Sequence, residues 1–260
     1  MKLSKKYLIP ALFGLLALHG HEAGAAPRQA FSYTLNNHGK SLTTPVAWGA
    51  SRNVVFMGAF GTIPAQYSSQ NDGAAVLGVG LGDPKKNLGV QLSLISIDIS
   101  EWKEYSSSLH LSKSLGNDDA IGAGVENVML TDGGDAGKSF YIVYSRGIKH
   151  DSMVNKNIRT TRLHYSVGAG TGRFADKTPM DIATGKGEHG TYVFGNLAYE
   201  VSKSFNIITD WNGMNLNAGA SKTIYIERQP ITLTVALADL THYSGDGIRV
   251  CLGAALGFKL

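Results

Sequence analysis

The histidines and the single cysteine are the side chains best suited to hold a metal ion or act as a base or nucleophile. Histidines that follow the N-terminal segment occur singly, at positions 38, 110, 150, 164, 189 and 242. None has the H-x-H or H-E-x-x-H spacing that brings two imidazoles onto one metal ion. One cysteine excludes a four-cysteine zinc site and an intrachain disulfide. Acidic pairs such as Asp118-Asp119 are typical of solvated turns. The sequence predicts no metal site and no cofactor.

Phosphate-binding and nucleophile motifs are incomplete. The stretch 133–139 (GGDAGKS) resembles a phosphate loop, but Asp132 stands where that motif requires glycine and no strand-to-helix context surrounds it. No helix follows the glycines of 78–82, and there is no G-x-S-x-G nucleophile elbow. His110 shares a predicted strand face with serines, but serine is so abundant here that a chance neighbour is the better interpretation. We therefore expect no catalytic residues and no enzymatic activity.

Composition narrows the class of protein. Of 260 residues only 17% are charged, against a typical share of about 25%, and 32 are glycine. A mean hydropathy of −0.05 excludes a helical membrane protein with many spans. The formal net charge is +4, and residues 1–25, with three Lys and one Glu, account for two of those charges. The remainder is too small to indicate nucleic acid as a partner.

The first 25 residues have the pattern of an export signal. Lys2, Lys5 and Lys6 precede an apolar core at 7–18, and small residues at 23–25 suit a signal peptidase, so we place cleavage after Ala25. A core of 12 residues is too short for a transmembrane helix, which needs about 20. An uncleaved anchor is the alternative. The predicted organisation is a signal peptide at 1–25, a polar lead-in segment at 26–52 and a β-barrel domain at 53–260. The lead-in segment could be a flexible arm, a plug or one more edge strand.

Beyond the lead-in segment, apolar residues recur with a period of two. From Ile248 to Leu260 every even position is apolar and the odd positions between are small or polar. Successive side chains of a strand point to opposite faces, so this is a strand with one apolar face. The phase changes near Leu94-Ile95, where we predict a β-bulge or else a strand buried on both faces.

Turn residues divide this region into twelve predicted strands, an even number as in bacterial outer-membrane barrels. Asn212-Gly213 suits a two-residue hairpin loop. The predicted strands are 53–60, 74–82, 88–99, 105–115, 119–130, 138–147, 161–171, 190–201, 205–211, 214–222, 231–242 and 248–258.

The direction of the apolar face decides between two architectures. A soluble barrel or sandwich turns it inward, and a membrane barrel turns it outward to lipid. The opposite face is rich in Gly, Ser, Thr and Asn and poor in charge, which favours an enclosed lumen over a surface washed by water.

The last strand, with Gly253, Leu256 and Phe258, resembles the C-terminal targeting signal of outer-membrane barrels, although Cys251 takes its polar position. The longest loop, about 172–189, then lies on the outer side. Trp48, Trp102 and Trp211 could belong to interfacial girdles or be ordinary core or surface aromatics. We predict an antiparallel up-and-down transmembrane β-barrel of about twelve strands.

Short motifs within 74–258 resemble known β-barrel proteins. The stretch GVGLGDP at 78–84, followed by Gly89, resembles Gram-negative and cyanobacterial β-barrel proteins. Three others look like the YjbH-like group of Gram-negative outer-membrane barrels: DWNG at 210–213, NAG at 217–219 and ADLT at 238–241. The resemblance implies a barrel fold and a link to polysaccharide export or other cell-envelope functions. It brings no catalytic residues.

The alternation places one set of side chains inside the barrel. Both charge signs occur among them, which favours a neutral polar solute such as a sugar, or an interior that satisfies itself. Twelve strands predict a narrow or closed lumen. The lumen-facing candidates are Arg162, His164, Asn196, Glu200, Asp210, Asn215, Asn217, Thr232, Thr234 and Arg249.

The function expected from the sequence is therefore an outer-membrane barrel with a structural or narrow-channel role at the bacterial cell envelope, linked to passage of a polysaccharide or a neutral polar solute. Its expected partners are outer-membrane lipid and, through the last strand, the barrel-assembly machinery. An exported soluble β-barrel or sandwich that binds a glycan or lipid is the alternative, and an outer-membrane hydrolase is a more distant one.

Overall fold

The computed structural model is a closed antiparallel barrel of twelve strands. It describes residues 39–98, 103–131, 137–156, 160–226 and 229–260. Each barrel strand pairs with its neighbours in the chain, and the first pairs with the last to close the barrel. The barrel strands are β1 (Val54–Ile63), β2 (Asp72–Gly82), β3 (Gly89–Asp98), β4 (Lys103–Gly116), β5 (Asp119–Met129), β6 (Ser139–Gly147), β9 (Leu163–Gly170), β10 (Val193–Ser202), β11 (Phe205–Trp211), β12 (Leu216–Ile226), β13 (Gln229–Ala238) and β14 (Arg249–Lys259).

Two short elements lie in the connections. Strands β7 (Val154–Asn155) and β8 (Thr160–Thr161) form a separate two-stranded sheet between β6 and β9. Helix α1 (Pro179–Ala183) lies in the loop between β9 and β10 and begins with a capping box made by Thr178 and Asp181. Among the described residues no helix is long and apolar enough to cross a membrane.

Because neighbouring strands are antiparallel, the connections alternate between two ends of the barrel. We call the end that carries Asn53 and Leu260 the base; the amide of Leu260 donates to the carbonyl of Asn53 there. We call the opposite end the rim. The longest described connection, 171–192, lies at the rim, opposite the C-terminus; its outer-side location stays a prediction.

The predicted bulge at Leu94-Ile95 is wrong. Strand β3 pairs with β2 and β4 in one continuous register through these residues. Since alternation is unbroken, Ile95 lies on the face of Gln91 and Ser93, and this short stretch of strand is apolar on both faces. The register shifts lie elsewhere, in β4–β5 and in β10–β11 at Glu200.

The Asn212-Gly213 hairpin is correctly placed but its loop is longer than expected. Residues 212–215 separate β11 from β12. The Asn212 carboxamide oxygen accepts from the amides of Met214 and Asn215, and Gly213 has a φ of +96°, a conformation that favours glycine.

The apolar faces of the strands point outward. In β13, Val235 and Leu237 are 48% and 46% exposed, whereas Ala236 and Ala238 between them are 3% and 2% exposed. Exposed Leu, Ile, Val and Phe side chains recur in the other strands, and the buried side chains of the same strands are largely polar. So much apolar surface is unfavourable in water and suits hydrocarbon. The soluble alternative requires the opposite arrangement.

Candidate functional site inside the barrel

The described part of the lead-in segment lies in the lumen. Residues 39–52, which we call the plug, precede β1, and Lys40, Ala47 and Trp48 within it are at most 5% exposed. At the base the plug is held by Arg52. Its amide donates to the carbonyl of Gly82 at 2.8 Å, and its guanidinium lies 3.0 Å from both carboxylate oxygens of Asp83. Of the three possibilities left open for this segment, these residues form a plug.

The tip of the plug is bound by a carboxylate near the rim. Asp210 of β11 accepts from the amide of Thr43 at 2.7 Å and from the amide of Thr44 at 3.3 Å. Asn217 of β12 orients that carboxylate through a 2.7 Å hydrogen bond. We call the connection 171–192 the rim loop. From it, Arg173 donates to the carbonyl of Thr43 at 3.0 Å. Charge-assisted hydrogen bonds in a buried setting are strong, so Asp210 is the principal anchor of the tip.

A buried ion pair fixes the start of the plug. The Lys40 ammonium donates to Asn206 at 2.6 Å and lies 3.6 Å from a carboxylate oxygen of Glu200. Both charged side chains are at least 96% buried. Burial lowers the pKa of Lys40 from its usual value, and the Glu200 carboxylate opposes that shift. Each of the two buried charges therefore depends on the other for its stabilisation.

A histidine and an aspartate lie beside the plug at the base. His164 Nε2 is 2.6 Å from the Thr161 hydroxyl and 3.3 Å from the Asp118 carboxylate. Burial by itself would raise the pKa of Asp118, but hydrogen bonds from His164 and Thr161 lower it. The edge of Trp48 packs against the His164 ring at 5.6 Å. This cluster supports the plug from the side.

The middle of the plug packs against polar and aromatic side chains. The Ala47 amide donates to Ser145 of β6 at 2.8 Å, and the Ala50 amide donates to Gln91 of β3 at 2.8 Å. His110 of β4 is 2.8 Å from the Tyr141 hydroxyl. Residues 39–52 thus bond to strands on most sides of the barrel.

The rim loop is held by Asp181 of α1. Its carboxylate accepts from Ser244 at 2.6 Å, from Tyr67 at 2.5 Å and from the Gly245 amide at 2.7 Å. Burial by itself would raise the pKa of Asp181, but these hydrogen bonds and one from Thr178 lower it to about 2. One carboxylate therefore joins the β9–β10, β13–β14 and β1–β2 loops across the mouth of the barrel.

The predicted lumen residues differ in their burial. Arg162, Thr234 and Arg249 are half-buried, and Arg249 pairs with Asp239 at 2.6 Å. Asn215 lies in the rim connection outside the strands, where it bonds Asp239 and Ser244. The fully buried candidates are His164, Asn196, Glu200, Asp210, Asn215, Asn217 and Thr232.

Sequence reasoning missed the residues that the plug and rim loop contribute. Lys40, Thr43 and Asp181 lie in segments without periodicity, so alternation assigned them no face. Trp48 is no member of an interfacial girdle, because it lies in the lumen at 5% exposure. Trp211 lies near the rim and donates to Thr191 at 2.8 Å, and Trp102 is outside the described residues.

Metal-binding geometry is missing from the part of the chain that the structure describes, where no three His, Cys, Asp or Glu side chains come together. The His150 ring lies 2.8 Å from the Ser152 hydroxyl, but this pair is an exposed local cap of a single 3-10 turn. The lumen histidines have tyrosine and threonine partners.

Comparisons with known proteins show a likeness of fold. No family model and no curated protein matches the sequence. Among solved structures, a KdgM porin in complex with disordered oligogalacturonate is 8% identical, with a TM-score of 0.47 over 80% of this chain and 99% of that chain. Outer membrane phospholipase A from Escherichia coli is 9% identical, with a TM-score of 0.42 over 80% of this chain and 93% of that chain. The transport unit of the autotransporter AIDA-I from Escherichia coli is 11% identical, with a TM-score of 0.36 over 88% of this chain and 96% of that chain. None of these structures bears on the YjbH-like resemblance, which stays a prediction.

Proposed function

We propose that this protein is a non-enzymatic outer-membrane barrel whose lumen is a narrow, plugged channel for small neutral polar solutes. The observation that carries the proposal is the plug, which crosses a polar lumen inside a barrel with an apolar exterior. The exterior suits lipid, and the interior suits water and polar solutes. A channel so restricted suits small molecules better than a polysaccharide chain.

Charge pairing in the lumen supports a neutral solute. Lys40 faces Glu200, Arg173 lies 2.6 Å from Glu126, and Arg249 lies 2.6 Å from Asp239. Paired charges leave little net field along the channel, so neither anions nor cations are attracted strongly. A channel that selects ions carries one sign of charge in excess.

Loosening the plug tip tests the channel role. Asp210→Ala removes the acceptor for the Thr43 and Thr44 amides, and a charged hydrogen bond is worth about 1.5–3 kcal/mol. The population with a displaced tip should rise by about tenfold or more. We expect higher conductance in planar bilayers and faster liposome swelling in a neutral sugar than for the wild type.

The matched control is Asp151→Ala, which removes an exposed carboxylate from the base loop. It should conduct like the wild type. Folding of each preparation is checked by the change of gel mobility on heating. If folded Asp210→Ala protein neither conducts nor swells liposomes, the channel role is wrong and a structural role remains.

A further inference from the structure

Phe60 and Tyr225 are exposed aromatic side chains at inward strand positions; Tyr225 lies next to the base end of β12, and Phe60 lies in the rim half of β1. The position of Gly80 faces the backbone of Ala50 in the plug, so even positions of β2 point inward. Val54 pairs with Gly80 in β1, so even positions of β1 also point inward, Phe60 among them. Yet Phe60 is 48% exposed. An inward side chain with that exposure is left uncovered by the residues that the structure describes.

The surroundings of Phe60 show the same openness. Phe60, Gly253 and Thr234 pair in one row across β1, β14 and β13, and Thr62 pairs with Cys251 in the next row toward the rim. Thr62, Thr234 and Cys251 are half-buried. We call Phe60, Thr62, Thr234 and Cys251 the open wall.

The remaining lumen is much drier. Many inward side chains of β4, β6 and β9 to β12 are almost completely covered; among them, Ser112, Ser145, His164, Asn206 and Asn217 are at most 1% exposed. The plug bonds to β6 and to β10–β12 of these strands, and also to Gln91 of β3 and Gly82 of β2. Among the residues that the structure describes, the space left open lies between the plug and the open wall.

The open wall is uncharged. It offers two threonine hydroxyls and the face of a phenyl ring. A Cβ at Gly253 would lie 2.9 Å from the Phe60 ring, so glycine there lets the ring lie against the barrel wall. Arg249 at its rim end is paired with Asp239, and Asp72 lies opposite Thr62 at the end of β2. Hydroxyls beside an aromatic face suit a neutral sugar, which has hydroxyl groups and apolar C–H faces.

We propose that solute crosses this barrel along the open wall, between Phe60 and the plug, and that this route takes neutral sugars in preference to charged ones. The inference rests on the proposed channel function and deepens it by naming the route and the solute class. The open wall lies in the rim half of β1 and β14, so the path is open there and the plug restricts it toward the base.

The native cysteine reports on the route directly. Cys251 is the one cysteine of the sequence, so labelling needs no background mutation. In folded protein reconstituted in liposomes, a small water-soluble methanethiosulfonate should modify Cys251. A matched buried thiol, Ser112→Cys in a Cys251→Ala background, should stay unmodified until the protein is unfolded. Equal protection of both thiols, or equal reactivity, would overturn the inference.

Blocking the route is the second measurement. Swelling is compared for glucose, gluconate and glucosamine, which share a size and differ in charge, in the Asp210→Ala background with and without modification of Cys251. We expect the glucose rate to be the highest and to fall several-fold on modification, and to be unchanged by the reagent when Cys251→Ala is also present.

The outcomes separate the two proposals. Sugar flux that modification of Cys251 leaves unchanged, or flux highest for a charged sugar, overturns the open-wall route and leaves the channel function standing. Flux that is absent from every folded variant overturns the channel function itself, and the labelling contrast then still decides whether the open space exists.

Discussion

At the scale of single residues, the lumen holds buried charges in two settings: Lys40 and Glu200 face each other, and Asp210 is bound by amide groups. Lys40 and Glu200 are almost completely removed from water, and Asn206 satisfies the ammonium as well. Desolvation of both ions costs several kcal/mol each, roughly what their attraction returns. Such a pair contributes little net stability. It fixes the position of the plug, because Lys40 has to lie at one point on the barrel wall.

Breaking the pair should be far worse than replacing it. Lys40→Ala leaves the buried Glu200 carboxylate without the lysine's positive charge, and we expect a loss of about 3–5 kcal/mol. The double variant Lys40→Met/Glu200→Gln, which removes both charges and keeps the volumes, should recover most of that loss. The measurement is the midpoint of urea unfolding in lipid vesicles. Equal destabilisation of the single and double variants would contradict the ion-pair interpretation.

At the scale of elements, two irregular segments complete the barrel from opposite ends. The plug enters at the base, and the loop 171–192 folds over the rim and reaches the plug through Arg173. Lys186 of the same loop donates to the carbonyl of Gly245 in the β13–β14 loop. The plug has no helix or strand, and the loop 171–192 has little regular structure beyond the five-residue helix α1 and a 3-10 turn at Gly172–Phe174. Hydrogen bonds to a few carboxylates therefore replace the strand ladder in holding them.

Asp181 should make the rim loop sensitive to acid. Its pKa is about 2 in the folded protein, against an ordinary value of 3.8, so its contribution is complete above about pH 4 and is lost as the pH falls toward 2. We expect exchange protection of the Gly245 amide to follow that loss. Asp181→Asn should lose the protection already at neutral pH and be cut faster by trypsin at Lys177 and Lys186.

The control for this effect is Glu188→Gln, which removes an exposed carboxylate from the same loop. It should keep the protection of Gly245 and the cleavage rate of the wild type. If both variants behave alike, general loop charge and not the Asp181 contacts holds the loop.

The strands could be predicted from the sequence because two-residue periodicity follows directly from the pleat. Each of the twelve predicted strands overlaps an observed one. The plug and the rim loop could not be predicted in this way. The roles of Lys40 and Asp181 depend on contacts with residues far away in the sequence, and no local pattern indicates those contacts. The bulge prediction failed at Ile95 because an apolar residue was assumed to face outward, whereas the lumen side accepts one here.

At the scale of the whole molecule, the orientation of the apolar faces determines where the barrel is stable. Val235 and Thr234 are neighbours near the middle of β13. Val235 points outward at 48% exposure, and Thr234 points into the lumen as part of the open wall. The alternation inferred from the sequence and the burial in the structure give the same two faces.

Arginine scanning at these neighbours measures that orientation. Val235→Arg places a charge in hydrocarbon and should cost about 2–4 kcal/mol near the midplane, so that little folded barrel accumulates in membranes. Thr234→Arg meets solvent in the lumen and should assemble at close to the wild-type yield. The readout is the heat-modifiable fraction in the membrane pellet, and equal yields for the two variants would contradict the outward orientation.

The attachment of the plug to β1 has a consequence for how the molecule is made. Strand β1 pairs with β14, which joins residues as far apart in the chain as Val54 and Lys259. Pairings of such sequence separation form late, because the entropy of closing the intervening loop opposes them. Strand β1, which closes the barrel, is thus covalently continuous with the plug that fills the lumen. We therefore expect residues 39–52 to enter the lumen before, or together with, the final pairing of β1 with β14.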